Sequence, residues 1–318
     1  MFKMYGELAI YSGSSHVALA QEIAQYLGVP LGGRDIVQFP NENLFVRLHS
    51  SVRAKDVFLI QPTGNSPVNQ NIMELLIMID CLRRDSAGRI TAVVPYFAYG
   101  RTDKKDQPRV PITARLLANL ITTAGADRFL VVDLHAGQIA GFFDIPGDEI
   151  TAFHMLSDYF LKKQIPDAVV VSPDIGATRR ARNFAEKLDL PLAIVEKRRS
   201  LDGSKTAVFN LIGEVVGKNA IIFDDEVDTA GTLCQAARFL VDNGAREVYA
   251  CATHAILSPP ATERLRQSPI KELVVTNTVA IPPEKMLPNM TVLSVAPLLG
   301  EVIRRIHLGM SVGQMFDE

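Results

Sequence analysis

The sequence predicts an α/β protein built from two similar doubly wound domains with mostly parallel sheets. Short apolar runs alternate with longer amphipathic stretches along the whole chain. Strands that are apolar throughout are typical of parallel sheets, because helices cover both faces of such sheets. The length of 318 residues exceeds the size at which a single core usually stops growing, so two domains are expected.

The first half of the chain has the element pattern of one such domain. Runs rich in Val, Ile and Leu predict its strands, and apolar residues three or four positions apart predict its helices. The predicted strands are 8–11, 57–61, 91–95 and 129–133, and the predicted helices are 16–27, 72–84 and 113–123.

The second half repeats this alternation. Its predicted strands are 169–172, 193–195, 220–223, 247–252 and 273–276, and its predicted helices are 155–163 and 179–188. A faint internal repeat favours two similar domains, since the strand, loop and helix that begin at Lys55 resemble those that begin at Lys218. We therefore predict an N-terminal domain over 1–150 and a C-terminal domain over 151–297.

Composition and charge exclude several classes of function. With 33 Lys plus Arg against 35 Asp plus Glu, no overall basic surface favours nucleic acid or an anionic membrane. No signal segment and no membrane-length apolar run are seen. The cysteines are odd in number and widely spaced, which is typical of buried thiols in a reducing compartment: Cys81, Cys234 and Cys251. We expect a cytoplasmic protein with small-molecule substrates.

The most informative segment runs from Ala220 to Leu233 and reads AIIFDDEVDTAGTL. An apolar strand leads to paired carboxylates, and a turn of small residues then opens a helix. Backbone N–H groups at a helix N-terminus favour a phosphate. Ionised carboxylates accept hydrogen bonds from hydroxyls, so a pair of them suits the diol of a sugar. The segment predicts a ribose 5-phosphate site formed by Asp224, Asp225, Asp228, Thr229, Ala230, Gly231 and Thr232. The alternative is an acidic turn in an α/β domain.

This segment resembles the phosphoribosyl pyrophosphate motif of the type I phosphoribosyltransferase fold. The whole chain, from Tyr11-Ser12-Gly13 to the C-terminal tail, resembles one family with that fold, the ribose-phosphate pyrophosphokinases. The resemblance implies transfer of the pyrophosphoryl group of ATP to the C1 hydroxyl of ribose 5-phosphate, with Mg²⁺ as cofactor. It also implies that the tail 298–318 packs back on the N-terminal domain.

Two further segments match the motifs of this family for metal and pyrophosphate. The segment 133–143 reads DLHAGQIAGFF, and the segment 171–182 reads VSPDIGATRRAR. A histidine after a strand is more often structural, but the resemblance implies Mg²⁺ contacts from His135 and Asp174. The second segment resembles a pyrophosphate loop, in which small residues let the backbone approach an anion; its residues are Asp174, Ile175, Gly176 and Ala177.

Lys197 and Arg199 lie in a basic run that follows a predicted strand and precedes a polar stretch, 200–205. A solvated basic run is the ordinary interpretation of such a segment. The match with the catalytic loop of the family implies instead that both residues stabilise the charge of the transition state. Because they alternate, an extended backbone would place them on one side.

The nucleotide contacts that the resemblance implies are Phe39, Asn41, Glu42, Asn43, Arg101, Thr102 and Asp103. An aromatic ring at Phe39 can stack on adenine, and Arg101 can hold phosphates. Two positions depart from the family pattern: Asn43 replaces an acid, with Glu42 displaced by one place, and Thr102 replaces a common Gln.

The resemblance also implies homo-oligomers, with dimers assembling into hexamers and a nucleotide site completed by a neighbouring subunit. Phosphate activation and ADP inhibition between subunits are expected at Ser51, Arg53, Arg109 and Ser311, whose hydroxyl and guanidinium groups can hold an oxyanion.

Two rival functions fit parts of the sequence. A transferase that consumes phosphoribosyl pyrophosphate would explain 220–233 but not the matching N-terminal half. A non-catalytic regulatory paralogue would keep the fold, although the presence of Lys197, Arg199, His135 and Asp174 argues against it. A P-loop kinase and a Rossmann dehydrogenase are disfavoured, because neither glycine motif is found.

Overall fold

The computed structural model describes residues 6–64, 66–199 and 207–315, with the backbone alone for 197–199 and 207–209. The described chain forms two compact units. The first comprises 6–151, 278–280 and 294–315, and the second comprises 152–277 and 281–293.

The first unit contains a five-stranded parallel sheet in the order β1-β4-β5-β6-β7 and a separate antiparallel hairpin, β2-β3. Both faces of the sheet are covered, since consecutive residues such as Phe58 and Leu59 are fully buried. Its elements are β1 (Leu8–Ser12), α1 (Val17–Leu27), β2 (Arg34–Gln38), β3 (Leu44–Leu48), β4 (Asp56–Ile60), α2 (Val68–Arg84), β5 (Arg89–Val94), α3 (Thr113–Ala124), β6 (Arg128–Val132) and β7 (Gly147–Ile150).

The second unit contains a seven-stranded sheet in the order β10-β9-β8-β11-β12-β13-β14, in which only β9 and β10 pair antiparallel. Ile222 packs into a core on one face and Ile221 into a core on the other. Its elements are α4 (Phe153–Lys163), β8 (Ala168–Ser172), α5 (Thr178–Leu188), β9 (Leu192–Arg199), β10 (Ala207–Ile212), β11 (Asn219–Val227), α6 (Gly231–Asp242), β12 (Glu247–Ala255), α7 (Ala261–Arg266), β13 (Ile270–Thr276) and β14 (Met290–Leu293).

The chain then returns to the first unit through α8 (Ala296–Leu308), which packs against α1. A buried ion network anchors its C-terminal end. Arg89 donates from Nε to Oδ1 of Asp56 over 2.8 Å, and Nδ1 of His307 lies 2.8 Å from Oδ2 of the same carboxylate. No helix in the described part of the chain is long and apolar enough to cross a membrane.

The predicted fold class is confirmed, since two α/β units with mostly parallel sheets are observed. The predicted end of the strand at 220–223 was wrong. Asp224 and Asp225 were expected to follow a strand ending at Phe223, but β11 continues to Val227 and both lie within it. The reason is backbone pairing: β12 extends to Ala255 and keeps β11 in register beyond its apolar part.

Candidate active site

The paired carboxylates lie near the carboxyl end of β11, the central strand of the second unit. Asp225 is buried and Asp224 is half-buried. The backbone N–H of Asp225 donates to Oδ1 of Asp224 over 2.9 Å. Nη1 of Arg180, from the first turn of α5, lies 2.6 Å from Oδ2 of Asp225. One carboxylate therefore has a cationic partner, whereas its neighbour accepts a backbone hydrogen bond.

Negative charge is concentrated around Asp224. Burial raises the pKa of its carboxyl well above the usual range, and the charges of Asp225 and Asp174 raise it further. A buried carboxyl beside two other negative charges disfavours its own ionisation unless a partner is present. Hydroxyl donors or a cation would relieve that repulsion, so the cluster fits the sugar diol and the hard cation that the sequence predicts.

The loop 228–232 leads from β11 into α6. Ala230 has φ of 56°, in the left-handed region, and the helix begins at Gly231. Within the described residues no side chain caps this helix, and its first turn contains no acidic residue. The first backbone N–H groups of a helix have no partner inside it, so this turn can donate to an anion. Thr229 and Thr232 are exposed beside it.

The loop 174–177 connects β8 to α5 on the neighbouring strand of the sheet. Oδ1 of Asp174 accepts the backbone N–H of Ala177 over 2.9 Å, and the hydroxyl of Ser172 donates to the Asp174 carbonyl over 2.6 Å. Ile175 and Gly176 are exposed at the tip. The loop is thus folded around the Asp174 side chain, with an accessible backbone that suits a pyrophosphoryl group.

In the first unit, the predicted nucleotide loop and His135 lie side by side after β5 and β6. A Cβ placed on Gly100 would lie 3.3 Å from Cβ of His135. Nε2 of Gln138 donates to Oδ2 of the buried Asp103. Asp103 therefore fixes the loop, and the side chains of Arg101 and His135 are exposed at the surface.

Thr102 and Asn41 use their polar groups within the chain. The Thr102 hydroxyl donates to the Tyr99 carbonyl over 2.8 Å. In the turn between β2 and β3, the side-chain oxygen of Asn41 accepts the N–H of Asn43 over 3.2 Å. Glu42 occupies the left-handed position of this turn, at φ of 67°.

Phe39 is half exposed beside the same turn, and its ring centroid lies 6.2 Å from that of Phe45. An aromatic face is thus available to a base.

The predicted regulatory residues occupy separate segments. The hydroxyl of Ser51 lies 3.5 Å from Oδ1 of Asp85 and accepts the backbone N–H of Arg53 over 3.2 Å. Arg109 lies in the exposed loop before α3. The Ser311 carbonyl accepts from Nη1 of Arg305 over 2.8 Å, after the end of α8.

The side chains of Lys197 and Arg199 lie outside what the structure describes, as does the predicted loop 200–205. The backbone of both residues belongs to β9, where Arg199 pairs with Ala207 of β10.

The described residues contain no large group of metal-binding side chains. Among residues 6–64, 66–199 and 207–315, no three His, Cys, Asp or Glu side chains form a metal cluster. Mg²⁺ commonly takes one or two carboxylates together with phosphates and waters, so it needs no such cluster. The oxygen donors of Asp174 and its neighbouring carboxylates fit that chemistry.

Comparisons with known proteins identify the family. Residues 8–125 match the N-terminal domain of ribose phosphate pyrophosphokinase, and residues 200–317 match the phosphoribosyl synthetase-associated domain. The chain is 52% identical to the ribose-phosphate pyrophosphokinase of Caldanaerobacter subterraneus, covering 99% of this chain and 100% of that one. The chain belongs to the ribose-phosphate pyrophosphokinase family.

Other members of the ribose-phosphate pyrophosphokinase family agree. The enzyme of Synechococcus elongatus is 53% identical, covering 97% of this chain and 93% of its own length. The crystal structure of phosphoribosylpyrophosphate synthetase from Mycobacterium smegmatis is 43% identical, with a TM-score of 0.89, and covers 95% of this chain and 99% of that chain. The family resemblance predicted from the sequence is confirmed.

Sequence analysis missed three side chains that hold these pyrophosphokinase motifs in place: Arg180, Gln138 and Arg264. Nη1 of Arg264 donates to the carbonyl of Thr229 over 3.0 Å. Arg180 lies inside the segment 171–182 and Gln138 inside the segment 133–143, so their place within matched motifs was an available signal. Arg264 lies 35 positions from its partner, and no local pattern indicates it.

Proposed function

We propose that this protein transfers the β,γ-pyrophosphoryl group of ATP to the anomeric hydroxyl of ribose 5-phosphate. A bond forms between the anomeric oxygen and the β-phosphorus, and the bond between that phosphorus and the α,β-bridging oxygen breaks. The products are phosphoribosyl pyrophosphate, AMP and one proton. The observation that carries the proposal is the pair of carboxylates in β11, the strand that leads through the loop 228–230 to an uncapped helix N-terminus, in a chain of this family.

The second unit is assigned the acceptor sugar. Backbone N–H groups at 231–233 and the hydroxyls of Thr229 and Thr232 bind the 5-phosphate, which favours a helix N-terminus. Asp224 and Asp225 accept hydrogen bonds from the ribose hydroxyls. Arg180 orients Asp225 through its 2.6 Å ion pair. The acceptor hydroxyl is thereby fixed before transfer, which removes an entropic part of the barrier.

The nucleotide and the pyrophosphoryl group of the donor are assigned to different loops. Phe39, Arg101 and the turn 39–43 contact the nucleotide, with Asp103 holding its own loop in place through Gln138. The loop 174–177 binds the pyrophosphoryl group through its backbone. Lys197 and Arg199 stabilise the negative charge that spreads over the phosphoryl oxygens in the transition state.

His135 and Asp174 are the proposed Mg²⁺ contacts. Bound Mg²⁺ supplies charge neutralisation for the phosphates. Asp174 would contribute an oxygen ligand. The hydrogen bond that its carboxylate accepts from the Ala177 backbone N–H keeps this side chain in place for that role.

One assay tests the proposal: formation of AMP from ATP, measured with and without ribose 5-phosphate. AMP formation that requires the sugar phosphate supports it. Binding of ribose 5-phosphate without AMP formation, under the same Mg²⁺ and ATP, would favour a regulatory paralogue. Release of pyrophosphate from phosphoribosyl pyrophosphate upon addition of a base would favour the consuming transferase.

We further propose a homo-oligomer, with dimers assembling into hexamers, in which the turn 39–43 completes a neighbouring nucleotide site. Val37, Phe39 and Phe45 are exposed next to one another, since Val37 pairs with Phe45 and the Phe39 ring lies 6.2 Å from that of Phe45, and an exposed apolar patch of this kind supports an interaction site. Sedimentation and activity should be measured together across protein concentration. A fully active monomer would refute the shared site.

Regulation by phosphate and ADP belongs to the same proposal and is assigned to Ser51, Arg53, Arg109 and Ser311. Its separate test is the activity of the oligomer with each ligand added. Activity indifferent to both would refute the regulatory part alone.

A further inference from the structure

Arg264 lies beside the loop that is assigned to the 5-phosphate. It belongs to the short helix α7, whose Ala261 and Leu265 are buried in the core shared with Leu233 of α6. The exposed Arg264 side chain is therefore anchored at its base while its guanidinium reaches the loop.

The guanidinium contacts the loop on both sides of Ala230. Nη1 donates to the Thr229 carbonyl over 3.0 Å, and a Cβ placed on Gly231 would lie 3.2 Å from the same nitrogen. A side chain at 231 would crowd Arg264. Gly231 therefore leaves room for this cation as well as leaving its own N–H accessible.

The direction of one peptide group follows from this contact. In a trans peptide the carbonyl and the following N–H point in opposite directions. Because the Thr229 carbonyl is held by Arg264, the N–H of Ala230 faces away from α7. The left-handed Ala230 then turns the chain into the first turn of α6, whose N–H groups are uncapped.

The charge of Arg264 also lies at the unfavourable end of a helix. Cations are stabilising near helix C-termini and unfavourable near N-termini. In the described structure, the first turn of α6 has no acidic residue to offset that charge. A dianionic ligand at this turn would offset it, so the loop contact and the charge both point to an anion.

From these contacts we infer that Arg264 is a positioning residue for the phosphate of ribose 5-phosphate. It holds the peptide between Thr229 and Ala230 so that the loop presents its N–H groups to the anion, and it adds positive potential there. This inference rests on the proposed function, because that function supplies the ligand. It assigns Arg264 no direct contact with the reacting atoms.

The test is calorimetric binding of ribose 5-phosphate to the full chain, compared among wild type, Arg264→Met, Arg264→Lys and Arg266→Met. Arg266 is the matched control, since it is exposed on the same helix and pairs only loosely with Glu263 at 3.8 Å. We expect Arg264→Met to weaken binding about 10-fold or more, the scale of losing a hydrogen bond from a charged donor. Arg264→Lys should recover part of this loss, and Arg266→Met should bind like wild type.

A merely structural role predicts a different result. It would lower the thermal midpoint and raise the KM for ATP and ribose 5-phosphate together, and that outcome overturns the inference. Unchanged sugar-phosphate binding by Arg264→Met overturns it as well. These results are distinct from failure of the proposed function, which is absence of sugar-dependent AMP formation by the wild type. If the wild type fails to bind ribose 5-phosphate, both the proposed function and the role of Arg264 are refuted.

Discussion

The ion pair between Arg180 and Asp225 offers a quantitative test of how the carboxylate pair is held. Arg180→Met keeps the apolar stem and removes the guanidinium, which lies 2.6 Å from the carboxylate. The Asp225 side chain is 9% exposed and that of Arg180 is 37% exposed. The substitution would therefore leave a buried carboxylate without this partner, directly beside a second one, Asp224.

The exposed fractions of the Asp225 and Arg180 side chains determine how much unfolding free energy the substitution should cost. Removing one partner of a fully buried pair costs about 3–5 kcal/mol, whereas a solvent-exposed pair contributes about 0–1 kcal/mol. Because Asp225 is buried and Arg180 is partly solvated, we expect a loss of about 2 kcal/mol in the free energy of unfolding at pH 7.

A double-mutant cycle isolates the pair. Urea unfolding should be followed by far-UV circular dichroism, because the chain has no tryptophan. Asp225→Asn removes the charge, so Arg180→Met should cost less than about 0.5 kcal/mol in that background. Arg179→Met is the control, an exposed arginine one position away. A cost below about 0.5 kcal/mol in the wild-type background, or an equal cost in both backgrounds, would refute the reasoning.

Other predictions address charge and metal. Lys197→Ala and Arg199→Ala should each lower kcat by about 100-fold or more with little change in substrate affinity, and near wild-type kcat for both would contradict their role. Excess chelator should abolish activity, and His135→Ala should raise the apparent Mg²⁺ requirement, as metal titrations of the rate would reveal. Asp224→Asn should raise the free energy of unfolding at pH 7 by about 1 kcal/mol. Because burial raises the pKa of Asp224, that gain should vanish below pH 3.8, where the wild-type carboxyl is protonated in both states. On α8, the hydrogen bond from Arg304 lowers the pKa of the Glu301 carboxyl and burial raises it. The resulting pKa is about 2, below the usual 4.5. Glu301→Gln should therefore cost about 1 kcal/mol above pH 4.5 and progressively less as pH falls towards 2, which acid titration of stability would check.

The parallel core was predictable because its strands are buried on both faces. Val57 through Ile60 are all fully buried, and such a run shows in the sequence as continuous hydrophobicity. The hairpin of β2 and β3 was not predicted, because Val37 and Phe45 are exposed and the strands pair only with each other. Backbone pairing holds the hairpin together, and Val46, Ile36 and Leu48 pack into the core of the first unit, but this apolar pattern is short and is interrupted by exposed residues.

Polar strands were missed for a related reason. The segment 196–199 reads as a basic loop, yet its backbone pairs with 207–210 to extend β9. Asp224 and Asp225 likewise lie inside β11, because β12 continues beside them. Polar side chains in a strand indicate where functional residues begin, whereas backbone pairing with the neighbouring strand determines where the strand ends.

The chemical groups of the site were visible in the sequence, whereas their supports were not. The residue types needed for phosphate and diol binding stand next to one another at 224–232. Their support comes from other elements: Arg180 from α5 reaches Asp225, and Arg264 from α7 reaches Thr229. A ligand-binding loop can be predicted from a short stretch of sequence, because one ligand contacts consecutive residues. A supporting contact joins any two elements that the fold brings together, so it is found only once the fold is known.

In the turn 39–43, the backbone conformation and hydrogen bonds change how the residues at 42 and 43 are interpreted. By sequence, Glu42 is an acid displaced by one position from its expected place at 43. In the structure it occupies the left-handed turn position, which costs a non-glycine residue about 1–2 kcal/mol. The N–H of Asn43 is meanwhile held by Asn41. Glu42 therefore occupies a different turn position from residue 43, with a different backbone conformation, so the displacement by one place changes which part of the turn carries the acid.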